Sequence, residues 1–310
     1  MNLINNKMKV AIFQGWDIRH FEMLGYILDF CYKFSLEFVL FSPEFKDWKP
    51  YYDKVFNKDI EWKVISEFRP MEFDYIFLVT DDDPFFKDEW VEESPNKIIC
   101  IDHWTGKIRR ENVLVHVNTR YATKYNNMFW ALPTYPVIKT VEDKQQIIST
   151  NKRIQVVCIG YNSTPKSSDN LRGIFTNFDE IDFHIVNHYI HYRYDDVINI
   201  KEYVDASVEV MTDLLRKADY VLCLQNNNQK DYIHDTMSAA IPLAFNFGCR
   251  LIMPASWKDS YKYTSPIQYT YSETTLTLTS INSHAIQNVL QERDRLIAYR
   301  NVVFKGIMKL

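Results

Sequence analysis

The sequence predicts an α/β protein with two Rossmann-like, doubly wound parallel-sheet domains facing a cleft. Three observations carry this expectation. The chain opens with a strand–helix–strand unit. Short apolar runs then recur, and each ends in polar residues. A second series of the same kind begins at Ile154, and 310 residues suffice for two ordinary domains.

Residues 9 to 14 are an apolar strand, and Gly15, Trp16 and Asp17 make a turn. Phe21, Leu24, Leu28 and Cys31 then recur at helical spacing, and Phe38 to Phe41 is the next strand. This order implies parallel pairing through a right-handed crossover. Further strands are expected at Tyr75–Val79, Ile98–Ile101 and Val113–Val117. Their polar ends are Thr80 to Asp83, Asp102-His103 and Asn118 to Arg120. Ligands of open parallel sheets bind outside the carboxyl ends of the strands, so these ends are candidate site loops.

Residues 131 to 153 are proline-punctuated and then polar, and read as a linker. In the second half, strands are expected from Ile154 to Gly160, at Phe183–Val186, at Tyr220–Leu224 and from Arg250. Helices are expected at Asn170–Phe178 and after Asp205, which can cap a stripe of Val208, Met211, Leu214, Leu215 and Ala218. Residues 237 to 249 are uncharged and read as a buried helix ending at Gly248. TLTLTS, 275 to 280, alternates like a strand, and Ser283 to Arg300 is amphipathic.

Composition excludes several classes. The chain is 46% hydrophobic and 25% charged with a net charge of -4, which is ordinary for a soluble globular protein. No basic bias points to nucleic acid or an anionic membrane, and no apolar run has the length of a membrane span. The first seven residues, MNLINNK, lack a signal-peptide core. Five cysteines without a C-x-x-C pair read as reduced core thiols, without metal-ligand spacing, in a cytoplasmic protein. Only seven glycines occur, and Gly15, Gly160 and Gly248 each stand where the backbone must turn or approach something closely.

The segment CIGYNSTPKSSDNLRGIF, 158 to 175, resembles the start of the donor domain of GT-B glycosyltransferases, with a strand, a glycine, a polar loop carrying a basic residue, and a helix. ADYVLCLQ with HDTMSAAIPLAFNFGCRLIMP resembles their donor-binding end. The chain as a whole resembles glycosyltransferases encoded by large DNA viruses of algae, the chlorella viruses, which implies a place in the host cytoplasm. NNNQKDYIHD, 226 to 235, resembles a segment of fucosyltransferases, which use a GDP-sugar. The GT-B resemblance implies an acceptor domain at 1–140, a donor domain at 150–283, and a helical segment at 284–310 that packs back on the first domain. It implies transfer of a hexose from a UDP- or GDP-sugar to a glycan or glycoprotein. Retaining members carry two acids on the donor helix. Aligned on Gly248, the first falls at Asp235 and the second at Leu243, where it is lost.

Glycosyl transfer expels a nucleoside diphosphate, so the site must stabilise the charge growing on it. Without a metal, helix N-termini and basic side chains do so. Lys166 and Arg172 are the basic candidates, beside Gly160 and Asn162; solvated surface charge is the alternative for both. Asp235 can accept from sugar hydroxyls or cap its helix, with His234 and Thr236 beside it. Asn226, Asn227 and Asn228 can read a base or sugar, or serve as turn residues. Gly15 lets the backbone approach a sugar, Trp16 can stack on one or pack in the core, and Asp17 is a catalytic base or a cap. The resemblance implies a sugar-binding histidine, for which His103 is the candidate.

Asp81-Asp82-Asp83 raises a second possibility, because D-x-D after an apolar strand is the signature by which GT-A transferases hold Mn²⁺ or Mg²⁺ on a diphosphate. A second β/α series after residue 150 favours GT-B, metal-independent donor binding, and a solvated turn at the triplet that leads to Pro84. A nicotinamide dehydrogenase would show G-x-G-x-x-G where this chain has QGWDIRHF. A non-catalytic sugar- or nucleotide-binding protein fits the lost second acid.

Overall fold

The computed structural model describes residues 7–16, 23–43, 47–103, 110, 112–119, 129–159, 168–187, 197–223, 238–260, 266–269 and 275–310. The chain divides into two compact units. One comprises 1–133 with 298–310, the other 134–297.

In the first unit, β1 (Lys9–Phe13), α1 (Gly25–Lys33) and β2 (Glu37–Ser42) form the expected opening unit. They are followed by α2 (Trp48–Phe56), β3 (Trp62–Val64), β4 (Tyr75–Leu78), α3 (Asp88–Glu93), β5 (Ile98–Asp102), β6 (Val115–Asn118) and β7 (Phe129–Trp130). All pair in parallel in the order β3-β2-β1-β4-β5-β6-β7. Alternation along β4 divides its side chains between the two faces. Ile76 and Leu78 join Ala11, Phe13, Phe41, Phe68 and Phe86 in one core, where Phe13 meets Phe68 and Phe86 edge-on at 5.1 and 5.0 Å. Phe77 instead meets Phe30 of α1 and Phe304. Arg300, fully buried beside them, donates to the Tyr26 carbonyl at 2.8 Å and to Asp29 Oδ2 at 2.6 Å, which satisfies its desolvated charge.

In the second unit, residues 141–148 are a helix and not a linker: α4 (Val141–Ile148) carries a capping box between Thr140 and Asp143. Its Lys144 is buried, and the Nζ donates to the carbonyls of Leu215 and Arg216 at 3.4 and 2.9 Å. The polar spacing that reads as linker is a two-turn helix covering the end of another. Then come β8 (Ile154–Ile159), α5 (Ser168–Ile174), β9 (Ile181–Asn187), β10 (Ile200–Val204), α6 (Val208–Lys217), β11 (Tyr220–Leu222), α7 (Ala240–Asn246), β12 (Arg250–Pro254), β13 (Ile267–Tyr269) and α8 (Ser283–Met308), whose last turns belong to the first unit. The sheet order is β10-β9-β8-β11-β12-β13, again parallel throughout. In its own numbering the second sheet thus runs 3-2-1-4-5-6 and the first 3-2-1-4-5-6-7, and each has its switch point beside its first strand.

Two further expectations change. Ser207, not Asp205, caps α6 by accepting from the Val210 N–H, while Asp205 sits in the left-handed region at φ 51°. The TLTLTS segment forms no ladder among the described residues. Leu276 makes an isolated bridge to Phe175, and the Asn177 side chain brackets Leu278, so the backbone is pinned to the end of α5. Gly248 ends α7 at φ +63°, as a helix-terminating glycine does. All five cysteines are buried and none is in a disulfide. No described helix is long and apolar enough to cross a membrane.

Candidate functional site

The carboxyl ends of β1, β4, β5 and β6 converge on a polar cluster in the first unit. At its centre the turn after β4 meets the turn after β1. The Gly15 N–H donates to Asp83 Oδ2, and the Phe85 N–H donates to Asp83 Oδ1 at 2.9 Å. A Cβ on Gly15 would overlap the Asp83 carboxylate, so glycine is required here by close approach. Burial pushes the Asp83 carboxyl up to about 6, although the two N–H groups and the Arg110 charge pull the other way.

Arg110 organises the same turn. Its guanidinium donates to the carbonyls of Asp81, Asp83 and Phe86, the last two at 2.8 and 2.9 Å, and lies 5.6 Å from the Phe86 ring centre. The triplet is therefore not the solvated turn expected from sequence. Asp81 is 6% and Asp83 1% exposed, because backbone N–H groups and a thiol replace water as their partners. The two D-x-D carboxylates also diverge: Asp81 Oδ1 accepts from Cys100 Sγ at 3.4 Å, while Asp83 faces Gly15.

Asp102 ends β5, and its Oδ1 lies 3.0 Å from Nδ1 of His116. His116 Nε2 is 2.8 Å from the Arg110 carbonyl. Burial raises the Asp102 carboxyl, and the His116 hydrogen bond offsets this in part. Burial pulls His116 down, but the Asp102 hydrogen bond and charge carry it above its ordinary value. His103, half-buried, is pulled down to about 4 by burial and is neutral at pH 7. Trp16 is half-buried after Gly15.

Arg110 and His116 were missed by sequence reasoning. His116 had a signal, a single imidazole in the otherwise apolar run Val115–Val117; Arg110 had none beyond its charge. In the second unit, Arg172 is exposed on α5 with its guanidinium 4.8 Å from the Phe178 ring centre. Asp17, Gly160, Asn162, Lys166, Asn226, Asn227, Asn228, His234, Asp235 and Thr236 lie outside the described residues. Most of them follow β8 or β11 in sequence, the two strands that flank the switch point of that sheet. Leu243, where the resemblance would put a second acid, is 3% exposed within α7.

Solved structures match nearly the whole chain. AviGT4, a glycosyltransferase involved in avilamycin A biosynthesis, superposes with a TM-score of 0.62 at 11% identity over 97% of each chain. HepE of Anabaena, solved with UDP and glucose, superposes with a TM-score of 0.58 at 8% identity over 98% of this chain and all of its own. The fold is GT-B. A glycosyltransferase from Rickettsia africae superposes with a TM-score of 0.54 at 9% identity, over 98% of this chain and 99% of that one. No family model and no curated protein matches the sequence. In GT-B terms, the cluster around Gly15, Asp83 and Arg110 belongs to the N-terminal Rossmann-like unit, and Leu243 to the C-terminal one.

Proposed function

We propose that this chain is a glycosyltransferase that moves a hexose from a nucleoside-diphosphate sugar to a glycan or glycoprotein acceptor, with the first unit holding the acceptor and the second the donor. The observation that carries this reading is the pair of parallel sheets that share the order 3-2-1-4-5-6, the first with a seventh strand, matched over nearly the full length by GT-B glycosyltransferases, one of them solved with UDP and glucose. That complex favours a UDP-sugar over a GDP-sugar.

In this reading Lys166 and Arg172 neutralise the departing diphosphate near Gly160 and Asn162. Asp235, His234 and Thr236 hold the sugar, and Asn226 to Asn228 read the base. Asp17 or His103 serves the acceptor hydroxyl beside Gly15 and Trp16. Donor binding is metal-independent, a reading supported by the Asp83 carboxylate being taken up by two backbone N–H groups rather than paired with Asp81. Cytoplasmic action in a virus-infected host rests on the sequence resemblance alone.

Thermal stability with UDP, GDP, UDP-glucose and GDP-mannose, each in EDTA and in Mn²⁺, tests the proposal, because a ligand of the folded state raises the melting temperature by mass action. A rise with UDP or UDP-glucose in EDTA is expected, together with release of UDP from the donor. A rise that needs Mn²⁺ would overturn metal independence. One observation favours a second reading: Leu243 replaces the second acid, which fits a sugar-nucleotide-binding protein without turnover. Binding without donor turnover under any acceptor supply would select it.

A further inference from the structure

Four side chains of the first unit carry the donor atoms of a transition-metal site. Asp81 follows β4, Cys100 and Asp102 lie on β5, and His116 of β6 stands in register with Cys100. One ligand atom from each lies within 4.8 Å of the others, and all but His116 are buried. Two of these separations are 3.0 Å, His116 to Asp102, and 3.4 Å, Cys100 to Asp81. Ligands around a tetrahedral zinc-sized ion stand roughly 3.3–3.8 Å apart, given metal–ligand bonds of about 2.0–2.3 Å. The cluster is already close to that size.

Two independent features point to an ion. Asp102 is 2% exposed, yet its Oδ2 has no hydrogen-bond partner among the described residues. A buried carboxylate oxygen without a partner is costly. The second feature is the far side of His116. Its Nε2 faces the Arg110 carbonyl at 2.8 Å, and a carbonyl only accepts, so Nε2 carries the hydrogen. Histidine ligands of metals are commonly fixed this way, by an outer carbonyl that sets the tautomer. The other nitrogen, Nδ1, is then the one turned towards Asp102, and it can ligate once the proton it shares with that carboxylate is displaced.

We infer that Asp81, Cys100, Asp102 and His116 form a structural site for a zinc-class divalent ion that ties the ends of β4, β5 and β6 together. Thiolate and imidazole among the donors select zinc or cobalt over magnesium, calcium or manganese. The exchange balances in charge. Without the ion, one proton sits on Cys100 Sγ and one lies between His116 and Asp102. The dication displaces both, so the formal charge of the buried group does not change. All four ligands are protein atoms, which makes the site closed and separate from any metal on a donor diphosphate. The ion would hold the turn from Asp81 to Phe86, and with it the contact between Asp83 and Gly15. This inference does not depend on the glycosyltransferase reading.

The full-length chain, stripped with a chelator and titrated with Co²⁺, tests it. One equivalent should bind with a tetrahedral visible spectrum and a thiolate-to-cobalt charge-transfer band, release about two protons, and be displaced by Zn²⁺. Cys100→Ala should lose the band, Cys100→His should keep the ion without the band, and Cys158→Ala should leave both unchanged. The absence of a thiolate band in the wild-type chain overturns the inference without recourse to any variant. Persistence of the band in Cys100→Ala overturns it as well.

Discussion

The backbone N–H of Gly15 donates to the carboxylate of Asp83, 68 residues further along the chain. This bond joins the turns after β1 and β4, neighbouring strands at the switch point of the first sheet. It explains both the glycine, whose Cβ would occupy the carboxylate's place, and the burial of an acid that sequence alone assigns to solvent. Gly15→Ala should destabilise the protein by about 2 kcal/mol through overpacking. In an Asp83→Ala background the same change should cost less than about 1 kcal/mol, because the overlapping group is gone. Urea denaturation of the four proteins measures the coupling, and additive costs would show that the two residues do not meet.

Arg110 holds three carbonyls of one turn with a planar fork. Lysine keeps the charge but cannot span them. Arg110→Lys should therefore lose roughly 2 kcal/mol of stability and expose the turn. Proteolysis near Phe85 and Phe86 should accelerate in the variant, and an unchanged cleavage rate would remove Arg110 from this role.

His184 on β9 is a buried neutral imidazole. Its Nε2 lies 2.7 Å from Gln155 Oε1 and its Nδ1 3.2 Å from the Tyr203 hydroxyl. Burial pulls its pKa down to about 4 from 6.5. The folded state thus binds fewer protons than the unfolded chain between these values. The stability this group contributes is full above pH 6.5 and is lost as pH falls towards 4. Wild-type stability should drop over that window by roughly 3 kcal/mol more than that of His184→Gln, measured by urea denaturation at pH 7 and pH 4. Parallel curves for the two proteins would contradict this.

Asp235 is the acid that the proposed function needs. Asp235→Ala should lower donor turnover on the order of 100-fold or more. Its cost to folding should be no more than about 1 kcal/mol, the worth of one hydrogen bond. A steady-state donor-hydrolysis assay beside a thermal melt separates an effect on turnover from one on folding, and unchanged turnover would remove Asp235 from the donor site.

The strands legible in the sequence were the interior ones. β1, β2, β4, β5 and β6 in one sheet, and β8, β9, β11 and β12 in the other, all show as apolar runs, because a parallel strand covered on both faces must be apolar along its length. The four that left no such mark, β3, β7, β10 and β13, are the four edges. An edge strand has one neighbour and partial cover; IKEYV of β10 is buried only at its first residue. Length and Trp62 alone do not mark β3. Residues 141–148 read as linker because their helix buries a lysine, whose charge is met by carbonyls of a segment some 70 residues away.

By itself the sequence determined the class of fold, the alternation of strands and helices, and the polar strand ends where a ligand site belongs. These follow from local periodicity, which is set by how each residue's neighbours in the chain share a face. Only the tertiary structure decided which polar ends meet. Cys100 faces His116 because β5 and β6 pair in one register, and a slip of one residue would turn His116 to the opposite face. Asp83 reaches Gly15 because β1 and β4 are neighbours at a switch point. Both relationships depend on strand order and register, which are properties of the packed sheet and leave no periodic trace in the chain.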